Sequence, residues 1–220
     1  MKKLEIENNI GDFVVIDNIR DFMVLMDDLK NEGGDIEERY ITALTEENTD
    51  LSAVSGSELI FENCVFTRAV FQKSYFKNCL FKNCDFSNCD FNSSTFHHCR
   101  FQNVKGVGTD FSESVFKNTE IKECLFRYAV FTSSLLDDCD IEESDMTEAY
   151  LDDCKIKKLV LADVNLIRAN FYKTALKGLD LRTCQIDGLL LSAEAKELKG
   201  AVVELLQAAE LAKILGIIIK

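Results

Sequence analysis

Nine cysteines, two adjacent histidines and 38 carboxylates are the residues with which this 220-residue chain could do chemistry. Thiolates and imidazoles together can ligate zinc, an activated thiol can act as a nucleophile, and paired carboxylates can move protons. Spacing argues against the first two. Cys64, Cys79, Cys84, Cys89, Cys99, Cys124, Cys139, Cys154 and Cys184 are all separated by multiples of five residues, which marks a structural slot rather than a ligand set. His97 and His98 stand together with no third ligand in view, and no nucleophile for them to activate. The carboxylates do concentrate: Asp137, Asp138, Asp140, Glu142, Glu143, Asp145, Glu148, Asp152 and Asp153 put nine acids and no base into 17 residues. Acids on a convex surface lack the water-excluding cleft that catalysis needs. No glycine-rich phosphate loop or nucleophile elbow occurs. The expectation is a protein that is not an enzyme, with no catalytic, metal or cofactor-binding residues and no cofactor.

The register of the cysteines belongs to a larger pattern. From Phe61 to Leu191 every fifth residue is large and apolar: 14 Phe, seven Leu, four Ile and Met146, with Gly106 the one vacancy among 27 positions. Two residues before these centres stands a residue that is small in 23 of 27 cases, the others being Leu59, Leu159, Leu179 and Leu189, and this second series holds every cysteine. A unit such as Cys84-Asp85-Phe86-Ser87-Asn88 thus reads small, polar, large apolar, polar, polar. On an α-helix five residues advance about 500° and would scatter the large side chains. In a continuous strand an odd period would alternate their faces. The chain must bend once per unit, with the small and the large residue inward and three residues outward. Thiols in the inward slot act as small, buried hydrophobes, and consecutive ones face different sides.

If four bends close one coil, like side chains stack every 20 residues. Ser74, Ser94, Ser114 and Ser134 do recur at that spacing, as do Phe71, Phe91, Phe111 and Phe131. The period therefore predicts a four-sided parallel β-helix with coils about 4.8 Å apart. The empty centre at Gly106 predicts either a cavity or a backbone shift that turns Val107 inward.

These units resemble the pentapeptide repeat family, whose consensus is a small residue, Asp or Asn, Leu or Phe, and two polar residues. Thr49-Asp50-Leu51-Ser52-Ala53 fits it as well, before Gly56 interrupts. The resemblance implies an all-β fold, a right-handed quadrilateral parallel β-helix or pentapeptide-repeat solenoid. It also implies a distant likeness to the quinolone-resistance branch, which protects DNA gyrase and topoisomerase IV by imitating DNA and dimerises head to head through its C-terminus.

Three segments are expected: an N-terminal cap over 1–48, the β-helix over 49–193, and a C-terminal helix and strand over 194–220. Phe22, Leu25, Met26 and Leu29 space a capping helix over Ile19 to Asn31, ending near Gly33-Gly34, and the acidic stretch Asp35 to Asp50 after it is expected to be a loop or an irregular first coil. At the other end Leu205, Leu206, Ala209, Leu211, Ala212 and Leu215 fall broadly on one helical stripe before Gly216. The β-branched Ile217, Ile218 and Ile219 should pair with the barrel or with a partner. Leu205, Leu206, Leu211, Leu215 and Ile217 to Ile219 are the candidate cap and homodimer contacts.

Charge sets the partners. A formal net charge of −13 excludes direct binding to nucleic acid or to an anionic membrane surface. The amino terminus lacks the apolar core of a secretory signal and no long apolar run follows, so the cytoplasm is the expected compartment. Residues 137–153 take outward slots over almost one whole coil, forming an acidic belt suited to a basic protein partner. DNA imitation would be partial, because residues 62–105 hold six bases against three acids and residues 154–220 eleven against seven. Two functions follow: a rigid protein-binding rod whose partner is a type II topoisomerase, or a scaffold with no topoisomerase interaction.

Overall fold

A computed structural model describes residues 6, 11–32 and 34–219. From Ile36 to Leu190 the chain winds as a parallel solenoid in which each coil pairs with the next at a shift of 20 residues. Tyr75 lies beside Thr95, Thr95 beside Val115 and Val115 beside Leu135; on the next side Leu80 lies beside Arg100 and Glu120 beside Asp140. Corners come every five residues. From Glu38 to Lys173 the second residue after each centre has a positive φ, near +55°, or is Gly108. A left-handed conformation costs a non-glycine residue about 1 kcal/mol, least for Asn and Asp. That accounts for Asn48, Asn63, Asn78, Asn83, Asn88, Asn103 and Asn118 at corners. Corner N–H groups donate to the next coil: Asn78 to the carbonyl of His97 at 2.9 Å, Asn103 to that of Lys122 at 3.0 Å.

Inside, rings of one column stack and rings of adjacent sides meet edge to face. Phe71 and Phe91 lie 4.6 Å apart and 4° from parallel, whereas Phe81 and Phe86 are 5.7 Å apart at 79°. Both geometries suit the aromatic quadrupole. The small series supplies the polar lining. Ser94 Oγ accepts from the Ser74 N–H at 3.1 Å and donates to the Phe71 carbonyl at 2.9 Å; Ser114 and Ser134 repeat the pair one and two coils on. The thiols of Cys84, Cys99 and Cys139 donate to the same kind of carbonyl, 23 residues earlier, at 3.4 Å.

The Gly106 vacancy holds neither a shifted backbone nor an inturned Val107. Gly106 N still donates to the Leu125 carbonyl at 2.9 Å, and Val107 stays half exposed. The Phe126 ring of the next coil leans into the gap instead, so a methyl on Gly106 would stand 2.6 Å from its Cδ1 and 2.9 Å from Thr109 Oγ1. Gly106→Ala is therefore expected to destabilise by about 1–3 kcal/mol, read as a lower urea midpoint at unchanged slope. An unchanged midpoint would show that the ring yields freely.

Regular coiling starts earlier than residue 49. Strand β2 (Ile36–Thr42) pairs in register with 56–62, Ile36 beside Gly56 and Ile41 beside Phe61. Strand β1 (Val14–Ile16) adds to its free edge, Val14 beside Arg39. Between them helix α1 (Ile19–Glu32) closes the end of the barrel with Phe22 and Met26 buried. Asn18 caps it, its Oδ1 accepting from the Asp21 N–H at 3.0 Å. The Phe22 ring stands 5.7 Å from Phe66, at the end of a column whose first centre is Glu46.

At the far end Val202 pairs with Asp180, and helix α2 (Leu205–Ile214) lies over the last coil with Leu211 buried. Gln207 Nε2 donates to the carbonyls of Leu181 and Cys184 at 2.8 Å each. Glu197 is the buried carboxylate of this cap. Burial raises its pKa, but the Lys173 N–H at 2.9 Å and the Ser192 hydroxyl at 2.8 Å outweigh that and hold it below the ordinary value. The single inward stripe expected for α2 is not what forms: Leu205 and Leu206 are 85% and 80% exposed. Ile217 to Ile219 form no strand and do not pair with the barrel.

Candidate functional site

With the inward slots filled, the surface carries whatever the protein does. All nine cysteines are buried and free of disulfides. Burial pushes the thiols of Cys89, Cys124, Cys139 and Cys154 up to about 12. A thiol so raised is protonated at neutral pH and a poor nucleophile. Cys64 differs: a hydrogen bond from Cys84, one coil away, holds it below the ordinary thiol value although it too is buried. Among the described residues no group of three or more His, Cys, Asp or Glu side chains could hold a metal ion. His97 and His98 lie half exposed with rings 4.7 Å apart. Burial lowers the His97 pKa, helped by the positive charge of His98, Lys117 and Lys77.

The nine acids of the belt all stand outward, none of them buried. They do not form an uninterrupted negative band, because the stacking that aligns like slots also aligns them with bases 20 residues away. Lys157 lies 3.5 Å from Asp137, Lys158 2.5 Å from Asp138, and Arg168 pairs with Glu148. Lys122 reaches Glu142 and Glu143 at 3.7 Å each, and Arg127 stands 4.0 Å from Asp145. Exposed pairs of this kind contribute at most about 1 kcal/mol each, yet they cancel charge locally. Among the described residues no cation stands within ion-pair distance of Asp140, Asp152 or Asp153. Asp152 accepts from the Thr132 hydroxyl at 2.9 Å. Burial raises the Asp140 pKa, with Glu120, Glu142 and Asp138 adding to the effect.

On the side that carries Asp140, the outward slots begin differently. Ile60 and Leu80, each 1% exposed, occupy positions that are polar in most other coils. They are covered from outside by Ile6, with Phe13 and Tyr40 packed against the group. Tyr40 Oη donates to Glu62 at 2.6 Å, and that bond, with burial, raises the tyrosine pKa. Beyond Leu80 lies a groove of about 590 Å³ bordered by Arg100, Gln102, Glu120, Lys122, Asp140 and Glu142. Two apolar residues at outward slots are a sequence signal of a cover that the five-residue register alone passes over.

The pentapeptide repeat region profile matches residues 55–131, and that of pentapeptide repeats in eight copies matches 144–182, together just over half of the chain. The chain is a pentapeptide-repeat protein. Among solved structures this pentapeptide-repeat protein is similar to two trypsin-treated variants of QnrB1, a plasmid-mediated fluoroquinolone resistance protein. The first is 21% identical over 83% of this chain and 90% of QnrB1, with a TM-score of 0.52; the second is 22% identical over 86% and 92%, with a TM-score of 0.50. At that identity the likeness is one of fold. No curated protein matches the sequence. Among the described residues no helix of this pentapeptide-repeat protein is long and apolar enough to cross a membrane.

Proposed function

We propose that this pentapeptide-repeat protein is a non-enzymatic, protein-binding rod of the cytoplasm, which docks a basic surface of a type II topoisomerase, DNA gyrase or topoisomerase IV, as a partial imitation of DNA. The observation that carries this reading is the ring of outward acids at 137–153, of which Asp140, Asp152 and Asp153 keep their charge unpaired by neighbouring coils. A rigid scaffold holds those charges in place, so little ordering entropy is lost on docking. The likeness of fold to QnrB1 supports the choice of partner. The exposed C-terminal leucines and isoleucines support a homodimer.

A supercoiling assay of gyrase with and without ciprofloxacin tests the partner. Inhibition, or relief of the drug, is expected at low molar excess, and Asp140→Asn with Asp152→Asn and Asp153→Asn should raise the required concentration about tenfold. A triple variant as potent as the parent places the contact elsewhere. The alternative is a scaffold with no topoisomerase interaction. It is favoured by the ion pairs that cancel most of the belt's charge, and no effect at a large molar excess selects it.

A further inference from the structure

Many outward cations of this barrel are met by an acid one coil away: Arg100 by Glu120, Lys105 by Asp85, Lys158 by Asp138 and Arg168 by Glu148. One column breaks that pattern. On the strands Tyr75–Lys77, Thr95–His97 and Val115–Lys117, the register sets Lys77 beside His97 and His97 beside Lys117, three bases in line along the axis at about 4.8 Å per rung. Among the described residues no acid stands within ion-pair distance of Lys77 or Lys117. Asp137 is the next rung after Lys117, but its carboxylate lies 3.5 Å from Lys157. Glu58, at the adjoining corner, accepts from Asn78 at 2.7 Å. Two residues earlier on each strand a second outward column runs Tyr75, Thr95, Val115 and Leu135, the tyrosine exposed and the others half-buried.

We propose that this face docks an amphipathic acidic α-helix of a protein partner, laid along the barrel axis with its acids over Lys77, His97 and Lys117 and its apolar stripe over Tyr75, Val115 and Leu135. Like charges stacked without counter-charge repel one another, and a row of carboxylates turns that repulsion into attraction. A small anion finds no enclosing walls on a flat sheet face, whereas a chain of acids meets several rungs at once. Spacing selects the helix. Acids at i, i+3 and i+7 lie about 4.5 and 10.5 Å along a helix axis, against about 4.8 and 9.6 Å for the rungs. Alternate residues of an extended segment fall about 6.7 and 13.4 Å along and have lost register by the third rung. Positions i+4, i+8 and i+11 flank the acid stripe, as the apolar column flanks the basic one. The net charge of −13 opposes this docking only weakly, because salt screens charges beyond about 8 Å. The helix site stands apart from the acidic belt, whether or not the belt meets a topoisomerase.

The probe is a fluorescent, alanine-based helical peptide with glutamate at i, i+3 and i+7 and leucine at i+4, i+8 and i+11, titrated with the full chain and followed by anisotropy. It should bind, and Lys77→Gln with Lys117→Gln, both outward, should weaken it about tenfold at unchanged circular dichroism. A scrambled peptide of the same composition should bind at least about tenfold more weakly. His97 gives a second readout. Burial and the charges of His98, Lys117 and Lys77 lower its pKa, and carboxylates laid over it favour its charged form. The peptide should therefore raise its titration midpoint, and by reciprocity bind more tightly as pH falls from about 8 to about 6. With His98→Asn only one imidazole proton signal remains, that of His97, which makes the midpoint readable. No binding, equal binding of the scrambled peptide, an unchanged affinity in the double variant or an unmoved His97 midpoint would each overturn the proposal. Tighter binding of inorganic polyphosphate or single-stranded DNA than of the peptide would overturn it too, in favour of a phosphate chain.

Discussion

Phe96→Ala is expected to cost about 3–5 kcal/mol of unfolding free energy, the largest effect of any single substitution considered for this pentapeptide-repeat protein. Phe96 is fully buried, stacked on Phe76 at 5.5 Å and on Phe116 at 4.9 Å, with edge contacts to Phe101 at 5.3 Å and Phe111 at 5.9 Å. Removing the ring leaves a void whose walls are rings of two neighbouring coils. Each of those coils is locked in turn by its corner hydrogen bonds, so the site collapses poorly. Phe96→Leu should cost under about 1.5 kcal/mol, because leucine occupies the same inward slot in seven other units. His97→Ala, one residue on and outward, should stay within about 0.5 kcal/mol. Urea titration of the three variants separates them. A loss below about 1 kcal/mol for Phe96→Ala would contradict a continuous aromatic core. In a stacked solenoid the weakened coil can also open apart from the rest, which would show as a shallower transition rather than only an earlier one.

The same stacking explains which parts of the molecule were legible. A period of five cannot fit a helix or a strand, so it specified the bend, the inward pair and, through the 20-residue columns, the coil. The hydroxyl ladder from Ser74 to Ser134 follows from that spacing. The start of the barrel was hidden because its first coil breaks the centre rule at Glu46, and the ring that completes the column, Phe22, comes from a helix 24 residues earlier. Ile36 and Ile41 keep the register and were the available sign. Gly106 misled because a vacancy in one column is filled by tilting a neighbour, which leaves no trace in the vacant residue's own surroundings in sequence. The belt was legible as composition but not as field. Its cancellation depends on bases one coil away, at Lys157, Lys158 and Arg168, and spacing by 20 does place each opposite its acid.

Leu206→Asp combined with Ile218→Asp is expected to convert the proposed homodimer into a monomer without lowering the stability of the barrel. Leu205, Leu206 and Ile218 are 80% or more exposed, and Leu215, Ile217 and Ile219 lie about half exposed beside them in sequence. Helix α2 uses its other side for the barrel, through Leu211 and Ile214. We propose that these exposed apolar residues, at the end of a highly charged rod, are a docking surface. A second copy fits it best. Residues 194–220 hold four acids and four bases, so this end is the place where two chains of net charge −13 meet with least repulsion. A two-fold contact lets one cluster cover its own image, and it closes after two chains. Sedimentation equilibrium at micromolar concentration should give twice the chain mass for the parent and the chain mass for the double variant, with equal urea midpoints once the concentration dependence is removed. A parent that sediments as a monomer would sink the dimer, and so would a double variant that remains one. Because the two substituted side chains touch no inward slot, a loss of barrel stability alongside dissociation would mean that the cap and the interface are one structure.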